Sequence, residues 1–166
     1  MRLIIADTGP INYLVLIGSI DLLPILFERV ILPSAVQAEL SDPDAPALVR
    51  NWIANPPTWL EVHEAPGRQF DHGSAEGLDE GETAAIALAI LLGADLLLMD
   101  ERKGVTVARG MGLRVTGTLG VLDIAAQRGL VDFAQAADRL RRTSFRISGA
   151  LLDSLLRKHA QGGGNV

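Results

Sequence analysis

Ala94-Asp95-Leu96-Leu97-Leu98-Met99-Asp100-Glu101-Arg102-Lys103 is the most informative stretch of the chain. Four apolar residues between acids are too few for a buried helix. They suit a strand that is apolar on both faces, as strands of a covered parallel sheet are. The run before it, Asp79 to Leu92, has a helical pattern, and Gly93 stops it as glycine does just past a helix. The run after it predicts a helix over Lys103 to Met111 and a short strand over Leu113 to Val115.

The same alternation extends toward the N-terminus. Arg2 to Ala6 reads as a buried strand ending in Asp7. Thr8-Gly9-Pro10 opens a helix, since proline is at ease in a first helical turn, and its apolar pattern is interrupted near Gly18-Ser19 and Pro24. Val30 to Leu32 is a second strand closed by Pro33, followed by a helix from Ser34 to Leu40. Asp44 to Asn55 predicts another helix, stopped by Pro56-Pro57, and Trp59 to Val62 a short strand. Ala65 to Gly77 is a polar, glycine-containing connection expected to be mobile. Beyond Thr118, read as an N-cap, helices are expected over Leu119 to Arg128, Phe133 to Arg142 and Ser148 to His159. Strands alternating with helices predict an α/β fold: a three-layer α/β/α sandwich around a central parallel sheet, with extra C-terminal helices. Residues 1–160 read as a single domain and 161–166 as a flexible tail.

Composition narrows the chemistry. Hydrophobic residues make up 48% of the 166, enough for a folded core, and aromatics only 4%, so that core is aliphatic. The absence of cysteine excludes disulfides, zinc–thiolate sites and cysteine nucleophiles, and fits a cytoplasmic location. The longest apolar run, Ala84 to Leu92, is about half a membrane span, and the apolar part of Met1 to Ala6 is too short for a signal peptide. Charge is uneven. Through Asp100 there are 15 acids and 4 Lys/Arg; from Glu101 onward, 5 acids and 11 Lys/Arg. This suits an acidic metal site followed by an anion-gripping surface, and equally suits ordinary solvated helices. His63, His72 and His159 are scattered and read as surface residues, and Met99 and Met111 as core fillers.

In open parallel sheets, ligands bind beyond the carboxyl ends of the strands. Asp7 and Asp100 occupy that position, and Glu39 and Glu82 sit on helices able to face the same crevice. Each acid has an ordinary alternative. Asp7 can cap the helix after it, and Asp79 with Glu82 can form a capping box. Asp100 can cap the next helix, and Glu39 can point to solvent. Together, converging carboxylates repel one another, and a hard divalent cation relieves that cost.

Five ordered segments resemble the PIN-domain family: Asp7-Thr8-Gly9-Pro10, Pro33 through Glu39, Leu78-Asp79-Glu80-Gly81-Glu82, Asp100-Glu101-Arg102-Lys103 and Gly117-Thr118-Leu119-Gly120-Val121-Leu122. The resemblance implies metal-dependent RNA hydrolysis with Mg²⁺ or Mn²⁺, often by the toxin half of a toxin–antitoxin pair. An antitoxin protein and a second copy of the chain are then expected partners. It implies Asp7, Glu39, Glu82 and Asp100 as catalytic acids, with Asp7, Asp100 and Glu82 on metal. Thr8, Asp79, Glu101 and Thr118 would support them; Glu101 stands where members commonly have Asp. Arg102, Lys103, Arg139, Arg141, Arg142 and Arg146 would grip RNA. The rival readings are a non-catalytic binding module of the same fold and a small-molecule phosphohydrolase. The latter usually shows D-x-D after its first strand, whereas Gly9 stands two after Asp7. Dinucleotide binding is disfavoured because no G-x-G-x-x-G follows that strand.

Overall fold

The strand after Gly93, β4 (Leu96–Leu98), lies beside β1 (Leu3–Ala6) in a computed structural model that describes residues 2–67 and 76–162. The remaining strands are β2 (Arg29–Pro33), β3 (Leu60–His63) and β5 (Val115–Thr116). All pair in parallel, in the order β3-β2-β1-β4-β5. The chain builds outward from β1 to β3, then crosses back to place β4 on β1's other side. The crevice between the carboxyl ends of β1 and β4 is therefore the topological switch point.

Helices fill the connections: α1 (Thr8–Leu16), α2 (Leu22–Leu26), α3 (Ser34–Leu40), α4 (Ala47–Ala54), α5 (Glu80–Leu92) and α6 (Arg102–Gly110). Ile5, Ile31 and Leu97, in register on adjacent strands, form one core with Ala85, Ile86, Leu88 and Ala89 of α5 and Ala108 of α6. Met99 is fully buried in it, and Met111 packs against its edge. The alternate residues Ile4, Ala6, Val30, Leu32 and Leu98 are buried too, as a sheet with helices on both sides requires.

Residues 1–118 form one compact unit and 119–166 a second. α7 (Thr118–Gln127) leads into the second unit, which continues with α8 (Phe133–Arg141) and α9 (Gly149–Gly162). Within it, Asp123 of α7 accepts hydrogen bonds from Lys158 (3.0 and 3.1 Å) and bonds the His159 ring (2.8 Å) of α9. His159 also stacks on Phe133 at 4.7 Å and is only partly exposed, unlike the surface role expected for it. His63 bonds Glu61, and His72 lies outside the described residues. So do most of the expected mobile connection (residues 68–75) and of the tail (163–166).

Several element ends depart from expectation for local reasons. The break after α1 occurs at Gly18, which adopts φ +73°, whereas Pro24 sits comfortably in the first turn of α2. α4 starts at Ala47 and not at Asp44. Asp42 accepts the Asp44 N–H on its side chain and the Ala45 N–H on its carbonyl, forming a turn, and Pro46 disfavours helical geometry at Ala45. β5 starts two residues late because the Leu113 N–H still bonds Ala108 of α6. Thr118 lies inside α7 and not before it.

Candidate functional site

Asp7 follows the last residue of β1, and its backbone N–H donates to the Leu98 carbonyl at 2.9 Å, extending the β1–β4 ladder by one step. This fixes the residue at the switch point. It is the N-cap of α1, yet makes no side-chain capping hydrogen bond. Pro10, third in the helix, has no N–H to offer, so half of the usual capping donors are missing. The capping reading of Asp7 thus fails. Its carboxyl is 5% exposed and titrates near 7 instead of 3.8. Burial is the main cause, opposed by the Thr8 backbone N–H and reinforced by the negative charges of Asp79, Glu82 and Glu39.

Glu39, on the last turn of α3, turns one oxygen toward α1, where the Thr8 hydroxyl donates to Oε2 at 2.8 Å. The same oxygen lies 2.9 Å from where a Cβ would stand on Gly81, so α3 and the first turn of α5 approach across a glycine. Asp79 and Glu82 do form a capping box. The Glu82 N–H donates to Asp79 Oδ1 (2.7 Å), and the Asp79 N–H donates to Glu82 Oε2 (3.1 Å). This does not remove Glu82 from the cluster. Its side chain is buried, and burial raises its pKa, with Asp79, Glu101 and Glu39 adding repulsion. Glu101, at the N-cap of α6 without a side-chain cap bond, is thus near enough for Glu82 to feel its charge.

Asp100 does not cap α6. Its Oδ1 accepts the Thr118 N–H (2.7 Å) and its Oδ2 the Thr118 hydroxyl (2.6 Å). Burial raises its pKa, and these two bonds counteract that. Gly9 lies under the carboxylate, a Cβ there standing 3.0 Å from Oδ2, and Gly117 abuts Oδ1 even more closely. Gly9 therefore links the Asp7–Glu39–Glu82 group to Asp100. Sequence reasoning missed Gly9, Gly81 and Gly117 as walls of the site. The available signal was a glycine within two residues of an acid or hydroxyl in T-G-P, E-G-E and T-G-T.

None of Asp7, Glu39, Glu82 or Asp100 forms an ion pair among the described residues. Structural carboxylates elsewhere are satisfied differently. Arg29 grips Glu61 with two bonds and holds its pKa down to about 2. Asp95, at the opposite end of the sheet, accepts the Leu3 N–H at 2.7 Å. Among the described residues, no three acidic or histidine side chains stand in ligating geometry about one point. The donor set is oxygen only, and Mg²⁺ typically takes one or two carboxylates and fills its shell with waters, so these residues fit a hard divalent ion.

Of the expected RNA contacts, Arg102 and Lys103 open α6 and are exposed. Lys103 lays its side chain against Gly77, two residues before Asp79, where φ is +83° and a Cβ would collide with Nζ. Arg139, Arg141, Arg142 and Arg146 belong to the second unit and are exposed. Arg142 pairs with Asp138 at 2.9 Å, whereas Arg139, Arg141 and Arg146 have no ion-pair partner among the described residues.

The fold is a five-stranded parallel α/β sheet with Asp7 and Asp100 just beyond the carboxyl ends of the two strands that flank its switch point. The chain belongs to the PIN-domain family: the family model described as a PIN domain matches residues 3–161, spanning both compact units. PIN domains are generally nucleases acting on nucleic acid. No curated protein matches the chain. No described helix is long and apolar enough to cross a membrane.

Proposed function

We propose that the protein is a metal-dependent endoribonuclease that hydrolyses RNA phosphodiester bonds with Mg²⁺ or Mn²⁺. The observation that carries this reading is Asp7, a buried carboxyl that feels the negative charges of Asp79, Glu82 and Glu39 and has no ion-pair partner among the described residues. Leaving such a group uncompensated is costly, and a divalent ion relieves the cost. Asp7 and Asp100, set at the ends of adjacent strands, are the rigid metal ligands, with Glu82 beside them. Glu39, steered by Thr8, orients water. Asp79 holds Glu82, and Glu101 borders the site.

When bound, the ion supplies Lewis acidity at the phosphate and a water of lowered pKa. The chain's own part is to fix the carboxylates before substrate arrives and to exclude bulk water from Asp7 and Asp100. Arg102 and Lys103 then hold the phosphate backbone next to the acids, and the exposed Arg139, Arg141, Arg142 and Arg146 of the second unit are further RNA-binding residues. The products are a 5′-phosphate and a 3′-hydroxyl. Incubating labelled RNA with the protein in Mg²⁺, Mn²⁺ or EDTA tests the reading. Cleavage that needs metal and is lost in Asp7→Asn supports it; intact RNA in both metals leaves a binding module instead. As a toxin, the protein arrests growth when expressed, and Asp7→Asn does not; unimpaired growth with the active protein argues for RNA processing.

A further inference from the structure

We propose that Thr118 is a positioning residue that sets the orientation in which Asp100 meets the metal, an inference that rests on the metal-dependent reading above. Thr118 is fully buried, and both of its donors go to one carboxylate, the N–H to Oδ1 and the hydroxyl to Oδ2. An ionised carboxylate can only accept, so the hydroxyl proton points at Asp100 and is not used to cap α7. Gly9 and Gly117 close the two sides, one against Oδ2 and the other against Oδ1. Rotation of the carboxylate would break two short bonds, and a side chain at either glycine would crowd it out of this position. One set of lone pairs on each oxygen is thereby committed to Thr118, and the others stay free for a ligand.

Partners that hold a metal ligand in place typically change metal affinity by about 10- to 100-fold when removed. Thr118→Val keeps the backbone N–H and nearly the volume and removes only the hydroxyl. Thr118→Ser keeps the hydroxyl. Thr118→Ala and Thr118→Ser form a second pair that differs by the hydroxyl without the β-branch, should valine prevent folding.

The experiment is a Mn²⁺ titration of the full chain, with free Mn²⁺ read by electron paramagnetic resonance and folding read by circular dichroism. The expected result is a dissociation constant raised about tenfold or more in Thr118→Val and Thr118→Ala, and within about threefold of the parent in Thr118→Ser. Equal affinity in folded Val or Ala variants overturns the proposal, because a merely structural threonine lowers melting temperature alone. Serine binding as weakly as alanine also overturns it, by assigning the effect to the methyl group. A parent chain that binds no Mn²⁺ sinks the metal-dependent reading itself, and this inference with it.

Discussion

The Thr8 hydroxyl donates to Glu39 Oε2 at 2.8 Å, across 31 residues of sequence, and ties the first turn of α1 to the last turn of α3. The bond is partly solvated, so its net contribution to stability is about 1 kcal/mol or less. Its effect on where Glu39 points is larger than its effect on folding. Thr8→Val is expected to slow metal-dependent RNA cleavage roughly tenfold with a melting temperature close to the parent's. Single-turnover cleavage and thermal unfolding of the same preparation check both halves. A large stability loss with normal cleavage would assign Thr8 to the scaffold.

Gly9→Ala separates folding from function in another way. Alanine in a first helical turn is tolerated, and its propensity exceeds glycine's by about 1 kcal/mol. Here, however, the new methyl stands 3.0 Å from Asp100 Oδ2, so the carboxylate must shift by a few tenths of an ångström against Thr118. The expected variant is as stable as the parent within about 1 kcal/mol and at least about tenfold less active, since small misplacements at a reacting centre are costly. Parent-like cleavage would show that Asp100 need not be held so tightly.

Asp7 gives a pH signature to the metal-free protein. Its carboxyl titrates near 7 when folded and near 3.8 when unfolded, so between those values the folded state binds more protons. Stability falls as pH rises through that window, by an amount on the order of a few kcal/mol for this one group. Asp7→Asn removes the charge. In EDTA its melting temperature is expected to exceed the parent's at pH 8 and to match it near pH 4. Saturating Mn²⁺ should close the gap at pH 8, because a ligand at 100 times its Kd stabilises by about 2.7 kcal/mol. Identical unfolding profiles across pH would mean that Asp7 is not buried as a lone charge.

Asp123 predicts the opposite slope. Burial raises its pKa, but hydrogen bonds from Lys158, His159 and Gln127 outweigh that and hold it below the usual carboxylate value. Its stabilising contribution is present above the unfolded value of 3.8 and is lost as pH falls through the lower folded one. Asp123→Asn is therefore expected to lower the melting temperature at pH 7 and to do so progressively less below pH 4. Loosening should be local to α9, visible as faster amide exchange there. Unchanged exchange in α9 would show that the Asp123–Lys158–His159 contacts do not hold it.

Much of the fold was legible because its three central strands, β2, β1 and β4, are short, largely aliphatic runs with an acid or a proline at or just past the end, whereas the edge strands β3 and β5 are shorter or more polar and were placed less well. Leu96 to Leu98 and Leu3 to Ala6 can be nothing else once Asp79 to Leu92 is recognised as the helix crossing between parallel strands. Where expectation slipped, a local bond competed with the pattern, as with the Asp42 turn before α4 and the Leu113 bond after α6. The acids themselves were legible one at a time, each with a plausible cap to make. The folded structure alone reveals that Asp7 makes no side-chain cap bond to the second or third residue of α1, that Asp100 belongs to Thr118, and that Glu82 closes the capping box of α5 and still sits buried near other acids. The glycine walls left only a faint mark, a glycine beside an acid or hydroxyl in T-G-P, E-G-E and T-G-T, which does not say what packs against it.

In the proposed mechanism, unpaired carboxylates at the β1–β4 switch point act through a shared divalent ion. Its most direct test is RNA cleavage by the purified parent chain and a folded Asp7→Asn variant, each in Mn²⁺ and in EDTA. Cut RNA is expected in one arm only, the parent with metal. Cleavage by the parent in EDTA, or by Asp7→Asn at the parent's rate, would contradict it.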